Sequence, residues 1–164
     1  MIDLFSEITL LKFTAGDYSP LRNIANRTTN EHFMTTSAFP SFSGAADVYM
    51  IVGHPVAQVQ APRVFNAVFA RAGLNAVMVP VCIAPEHLNA FVRTAFLAPN
   101  VRGISVTIPH KAALADAVDH CSPTARSAGA VNAVRRDTDG QLRGELFDGQ
   151  GLRSALDHFA LAYT

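Results

Sequence analysis

From Asp47 onward, short β-branched apolar runs alternate with longer segments whose apolar residues recur at helical spacing. VYMIVG (48–53), AVMVPVCI (76–83) and VRGISVTIP (101–109) read as buried strands, bounded by Gly53, Pro55 and other turn-forming residues. Between the first two, Pro62 stands where a first-turn proline loses no intrahelical hydrogen bond. The stretch RVFNAVFARAG then places Val64, Val68 and either Phe65 or Phe69 on one face, and Gly73 suits the exit. A second helix opens at Ala84-Pro85-Glu86, with Leu88, Phe91, Val92, Ala95 and Phe96 as its stripe. HKAALADAVD (110–119) reads as a third helix.

Three strand–helix units in succession predict a mostly parallel sheet covered on both faces. After Asp119 the rhythm changes. Cys121, Pro123 and Gly129 mark a loop, and AVNAVRRD and QLRGELF flank the turn triplet Thr138-Asp139-Gly140 as an antiparallel hairpin within 130–147. GLRSALDHFALAY predicts a final amphipathic helix with Leu152, Leu156, Phe159 and Leu161 or Tyr163 as candidates for burial. The predicted fold class is therefore α/β, a three-layer α/β/α domain over 48–164 with a mostly parallel sheet plus an antiparallel hairpin. Residues 1–47, which end in the Ser-, Gly- and Pro-containing SAFPSFSGAAD, carry no pattern tying them to this unit and read as an N-terminal extension or linker.

Composition narrows the function classes. Hydrophobic residues make up 49% and charged residues 16%, which suits a globular chain. The 13 basic and 13 acidic residues cancel, so no positive field exists for a nucleic acid or an anionic membrane. No apolar run reaches the length of a membrane span, and the opening MIDLFSEITLLKF lacks the basic start of a secretory signal. Cys82 and Cys121 match no CxxC spacing and read as two buried thiols of a reducing, cytoplasmic setting. The six histidines show no metal-site spacing, so no metal is expected.

In an open α/β sheet, ligands bind beyond the carboxyl ends of the strands. GHPVAQVQAP, TIPHK and LFDGQG all fall at such ends. Of the 13 basic residues only Lys12 and Lys111 are lysines, and Lys111 follows Thr107-Ile108-Pro109-His110 at a predicted helix start. A cation there opposes the helix dipole, which implies another reason for it. A partly desolvated ammonium can transfer a proton or steady an alkoxide, with a carboxylate to hold it. Asp148 is the natural partner, although an aspartate before a helix is also an ordinary cap. Asn132, an amide in a predicted strand, either bonds local backbone or faces a ligand. No GxGxxG or GxSxG occurs, so no dinucleotide site and no serine nucleophile are read from the chain.

Taken together, these segments resemble the substrate-binding (catalytic) domain of the shikimate and quinate/shikimate dehydrogenases. The residues concerned are Gly53-His54-Pro55-Val56 running to Pro62-Arg63-Val64-Phe65-Asn66, then Ser105-Val106-Thr107-Ile108-Pro109-His110-Lys111. Gly129-Ala130-Val131-Asn132-Ala133 and Leu146-Phe147-Asp148-Gly149-Gln150-Gly151 complete the set. The resemblance covers about residues 48–160 and implies that Lys111 and Asp148 are the catalytic pair, with Asn132 and Thr107 holding substrate hydroxyls. It further implies NADP- or NAD-linked reduction of 3-dehydroshikimate or a related hydroxylated alicyclic compound. The cofactor would sit on a Rossmann-type domain that does not occur in this chain, so none is expected to bind the chain alone and the chain is expected to be inactive in isolation.

The sequence also departs from that pattern. Two serines that hold the substrate carboxylate in the family are Val59 and Ala61 here, and the asparagine of the second motif is Ser105. Alkyl groups leave a carboxylate unsatisfied, so Gln58, Gln60 or Arg63 would have to compensate. The leading reading is a substrate-binding domain for a small polyhydroxylated alicyclic compound. The alternatives are a non-catalytic binding or regulatory domain, or an inactive truncated remnant. An exposed apolar surface on the last helix would offer a contact for dimerisation.

Overall fold

The computed structural model describes residues 42–161. In chain order it contains β1 (Asp47–Gly53), α1 (Ala61–Arg71), β2 (Ala76–Cys82), a 3-10 turn (Pro85–His87), α2 (Leu88–Ala95), β3 (Val101–Val106) and α3 (Lys111–Ala117). These are followed by β4 (His120–Cys121), α4 (Pro123–Ala128), β5 (Ala133–Arg136), β6 (Leu142–Glu145) and α5 (Asp148–His158). The strands form one six-stranded sheet in the order β2-β1-β3-β5-β6-β4. β1 pairs parallel with β2 and β3, β4 pairs parallel with β6, and β5 runs antiparallel to both β3 and β6. The predicted α/β class and antiparallel hairpin are thus present, with Ala133 opposite Glu145 and Arg136 opposite Leu142.

Strand alternation divides the core into two faces. Val52 packs with Leu88, Val92 and Phe96 of α2, Ile104 and Leu114, and Val48 and Met50 lie against the same cluster. Tyr49 turns the other way, its ring 5.3 Å from that of buried Phe69 on α1. Helices therefore cover both sides of the sheet. All five residues expected on the α2 stripe are buried or half-buried, and Val68 and Phe65 flank Phe69, but Val64 is exposed. At the entry, Ala46 is buried and Asn75 bonds the Ser43 N–H and hydroxyl at 3.0 and 2.9 Å, closing the turn before β1. Pro80 sits within β2, at the edge of the described sheet, where a missing N–H breaks no inner ladder.

Two expectations need correction. The predicted loop around Cys121 and Pro123 contains β4 and α4. Ser122 caps α4 by accepting the Ala125 N–H at 3.1 Å, Pro123 opens the helix, and Gly129 ends it at φ 60°. Those are ordinary helix signals in a segment too short to show periodicity. Of the candidates for burial on the last helix, Leu152, Phe159 and Leu161 are 63, 61 and 56% exposed and Leu156 is half-buried, so the apolar surface expected to lie open there does so. Tyr163 lies outside the described residues. Cys82 is exposed rather than buried, because it ends an edge strand, and only Cys121 is half-buried. Both thiols are free. No helix among the described residues is long and apolar enough to cross a membrane.

Asp119 joins two layers. Its carboxylate accepts the Leu142 N–H at 2.8 Å and Arg93 at 3.2 Å. The Leu142 N–H first, and then Arg93, holds the carboxyl below the usual carboxylate range. A lowered native value means that this contribution is fully present above the unfolded-state value and is lost as pH falls through the native one. An NMR titration should find Asp119 ionised below the range of a free aspartate, and Asp119→Asn should flatten the acid limb of stability. Gly144 tests the packing beneath β6, since a Cβ there would lie 2.8 Å from Val131 and 3.0 Å from Val118. Gly144→Ala should lower stability by about 1–3 kcal/mol in urea unfolding, as overpacking does, whereas Gly149→Ala meets nothing nearby.

Candidate active site

The carboxyl ends of β1, β2 and β3 converge through backbone hydrogen bonds. Thr107 N–H donates to the Val52 carbonyl at 2.8 Å, His54 N–H to Ile108 at 3.1 Å, and Ile83 N–H to Gly53 at 3.1 Å. Gly53 is needed where these segments meet, since a Cβ would stand 2.6 Å from Thr107 Cγ2. The His54–Pro55 and Ile108–Pro109 peptide bonds are cis, one in each loop flanking this junction. Lys111 begins α3 immediately beyond it. Its carbonyl accepts the Val131 N–H at 2.8 Å, which brings the start of α3 beside the approach to β5.

Asn132 is the next residue, and it bonds in every direction. Its backbone N–H donates to Glu145 at 2.9 Å, while its carbonyl accepts the Val106 N–H at 2.9 Å and the Ser105 hydroxyl at 3.0 Å. The side-chain Oδ1 accepts the Phe147 N–H at 2.9 Å, and Nδ2 donates to Asp148 Oδ1 at 2.7 Å. An N–H on one side and a carboxylate on the other determine which way the amide points. The sequence left two readings open for this residue, and the structure supports the local-bonding one, with a second Nδ2 hydrogen remaining.

Asp148 opens α5 without capping it, for the cap position is Phe147. Its second oxygen, Oδ2, meets Lys111 Nζ at 2.5 Å. The carboxylate thus bridges the amide and the ammonium. The Lys111 and Asp148 side chains are 34 and 52% exposed, so solvent reaches the pair and its value lies in orientation more than stability. An ammonium has three donors, and with one directed to Asp148 two remain for an oxygen of a bound molecule. Such a group can stabilise or protonate a developing alkoxide.

The structure therefore joins Lys111, Asp148, Asn132 and Ser105 in one network, with Thr107 two residues along from Ser105 at the same strand end. The β1–α1 loop is organised separately. Val59 N–H closes a turn on the Val56 carbonyl at 3.1 Å, and Ala61 begins α1. Gln58 turns its amide onto the Pro55 carbonyl at 3.1 Å, and Gln60 turns its own onto the Gln58 carbonyl at 3.5 Å. Of the three expected carboxylate substitutes, Gln58 and Gln60 thus donate into their own loop, while Arg63 is exposed on the first turn of α1.

His110 had no place among the candidates. It is 1% exposed, and its Nε2 lies 2.9 Å from the Ile83 carbonyl, so Nε2 carries the proton. Its Nδ1 meets no hydrogen-bonding group among the described residues. It anchors the turn ahead of Lys111 to the end of β2, and its adjacency to Lys111 was the available signal. Among the described residues, no three histidine, cysteine or acidic side chains group as metal ligands.

These roles separate by stability. Asn132→Ala should cost about 1–3 kcal/mol because the part-buried Phe147 N–H loses the Asn132 acceptor, while Asp148→Asn should cost less than about 1 kcal/mol. Urea unfolding of both variants measures the difference, and equal costs would contradict the assignment.

Comparison with known proteins shows the family. Residues 51–134 match the family model described as the shikimate dehydrogenase substrate binding domain. The NADP(+) shikimate dehydrogenase of Rubrobacter xylanophilus is 42% identical over 112 residues, covering 68% of this chain and 39% of that protein. Shikimate 5-dehydrogenase from Listeria monocytogenes, solved with shikimate and NAD, superposes with a TM-score of 0.68 at 31% identity, covering 74% of this chain and 41% of that one. A ligand-free 5-ketofructose reductase from Gluconobacter gives 0.64 at 27%, covering 69 and 40%. The chain spans about two-fifths of the length of these relatives. The matched segment contains Lys111 and Asn132, and the chain belongs to the shikimate dehydrogenase family through its substrate-binding domain.

Proposed function

We propose that this domain binds a small polyhydroxylated ring compound and serves the substrate side of an NADP-linked reduction of its carbonyl. The observation that carries the reading is the bridged Lys111–Asp148–Asn132 network at the carboxyl edge of the sheet. Lys111 donates to the substrate oxygen and supplies its proton on reduction, or takes it back on oxidation. Asp148 neutralises and orients the ammonium. The remaining Nδ2 hydrogen of Asn132 and the Thr107 hydroxyl are suited to ring hydroxyls. The nicotinamide cofactor supplies the hydride in relatives named for NADP(+). The chain's glycines form no GxGxxG, and Gly149 and Gly151 sit in α5 beyond the last strand without a following strand–helix unit among the described residues. These residues do not fit a dinucleotide, and no step of the hydride transfer is assigned to them. A dehydrogenase of this kind belongs in the cytoplasm, and the unpaired cysteines suit such a setting.

The acid-binding side favours a neutral substrate. Val59 and Ala61 offer no side-chain donor, and the Gln58 and Gln60 amides are directed to loop carbonyls, which leaves the exposed Arg63 as the one cationic group of this stretch. The 5-ketofructose reductase among the structural relatives is named for a substrate without a carboxylate. Each restored donor is worth roughly 1–3 kcal/mol, or about one to two decades in affinity. Titration calorimetry on the full chain should therefore show that Val59→Ser with Ala61→Ser tightens shikimate binding and leaves the matching ring triol unchanged. Equal gains for both ligands would withdraw the substrate argument, and loss of neither ligand in Lys111→Met with Asp148→Asn would withdraw the site.

A further inference from the structure

We propose that Cys82 and His54 form a nucleophilic thiol–imidazole pair at the carboxyl edge of the sheet, a site for reversible modification by small disulfides. Cys82 Sγ lies 3.5 Å from His54 Nδ1, and both residues are exposed. A thiol and an imidazole nitrogen at hydrogen-bonding distance form the arrangement in which the nitrogen takes the proton as sulfur attacks.

The pair is set by the backbone. Gly53 and Cys82 are register partners where β1 and β2 end. The Ile83 N–H binds the Gly53 carbonyl at 3.1 Å, and the His54 N–H binds the Ile108 carbonyl at 3.1 Å, so the residues beside both side chains are tied down. Cys121 is the internal contrast. It is half-buried, and its thiol points to the Ala115 carbonyl at 3.5 Å, which accepts a hydrogen bond but cannot carry the proton away.

In the reaction, Cys82 Sγ attacks one sulfur of a small disulfide. A new S–S bond forms as the reagent's own S–S bond breaks. The thiol proton passes to His54 Nδ1 and then to the departing thiolate, which leaves as a thiol. Cys82 is oxidised to the disulfide level, the reagent is reduced, and any added thiol reverses the exchange. The adduct stands beside His54-Pro55, where the β1–α1 loop begins, and so crowds the entrance to the site proposed above. The kinetics of the exchange do not depend on that site's substrate.

The test uses the full chain carrying Cys121→Ser and the neutral disulfide dithiodipyridine at pH 7, with the released thiopyridone followed by absorbance. A free thiol is only a few per cent ionised there, and an imidazole that takes the proton as sulfur attacks should raise its rate about five- to tenfold. Cys82 should therefore react about five- to tenfold faster than in either His54→Asn or His54→Ala. After unfolding in urea all three chains should react alike, and Cys82→Ser with Cys121→Ser should not react at all. Native rates within about twofold of each other would overturn the proposal, as would a rate advantage that persists in urea. Amide spectra of the variants show whether the fold is intact, and a variant that keeps the fold and the fast rate also overturns it.

Discussion

Asn132 is where the sheet and the candidate active site are made from the same hydrogen bonds. Its main chain joins the end of β3 to the end of β6, through Val106, Ser105 and Glu145. Its side chain continues the line outward to the Phe147 N–H and to Asp148. A residue held on this many sides has little freedom left, and the carboxylate that it positions inherits that restriction. The ammonium of Lys111 is then located from two directions, by Asp148 at its tip and by Val131 at its carbonyl.

The sheet topology makes this meeting possible. Were the sheet parallel throughout, the strand next to β3 would present its carboxyl end at this edge. Because β5 is reversed, its beginning lies there instead, and the residue preceding it sits beside the start of α3. The hairpin then returns through β6 and delivers Asp148 to the same edge. One reversed strand thus brings 107–111, 131–132 and 147–148 together. His110 adds a buried anchor on the far side, tying the approach to Lys111 to the end of β2.

The two halves of the site have different mechanical character. The Lys111–Asp148–Asn132 half is cross-linked between elements, so its geometry follows from the fold. The β1–α1 loop is closed on itself by Val59, Gln58 and Gln60, each bonding a carbonyl of the same loop. Interactions within a loop restrain its shape without committing it to the catalytic side. Val59 and Ala61 thus stand apart from the hydrogen bonds that hold Lys111.

Much of this could be read from residue order alone. Short apolar runs separated by helical stripes gave the layered α/β architecture, and the period change after Gly129 gave the reversed hairpin. The resemblance of the chain's motifs to the family pattern implied Lys111, Asp148, Asn132 and Thr107. Other features needed the tertiary structure, for identifiable reasons. The α4 segment is too short for periodicity, although Ser122, Pro123 and Gly129 carry its boundaries. The stripe of α5 reads as a candidate for burial because amphipathicity records a preference for cover, not whether cover is present. Asp119 and His110 acquire their roles from Leu142, Arg93 and Ile83, partners more than twenty residues away. Local pattern determined which segments are strands and helices, because propensity and burial act residue by residue. Which polar atoms meet was decided only by the sheet order, because hydrogen bonds such as those of Asn132 depend on distances between distant strands.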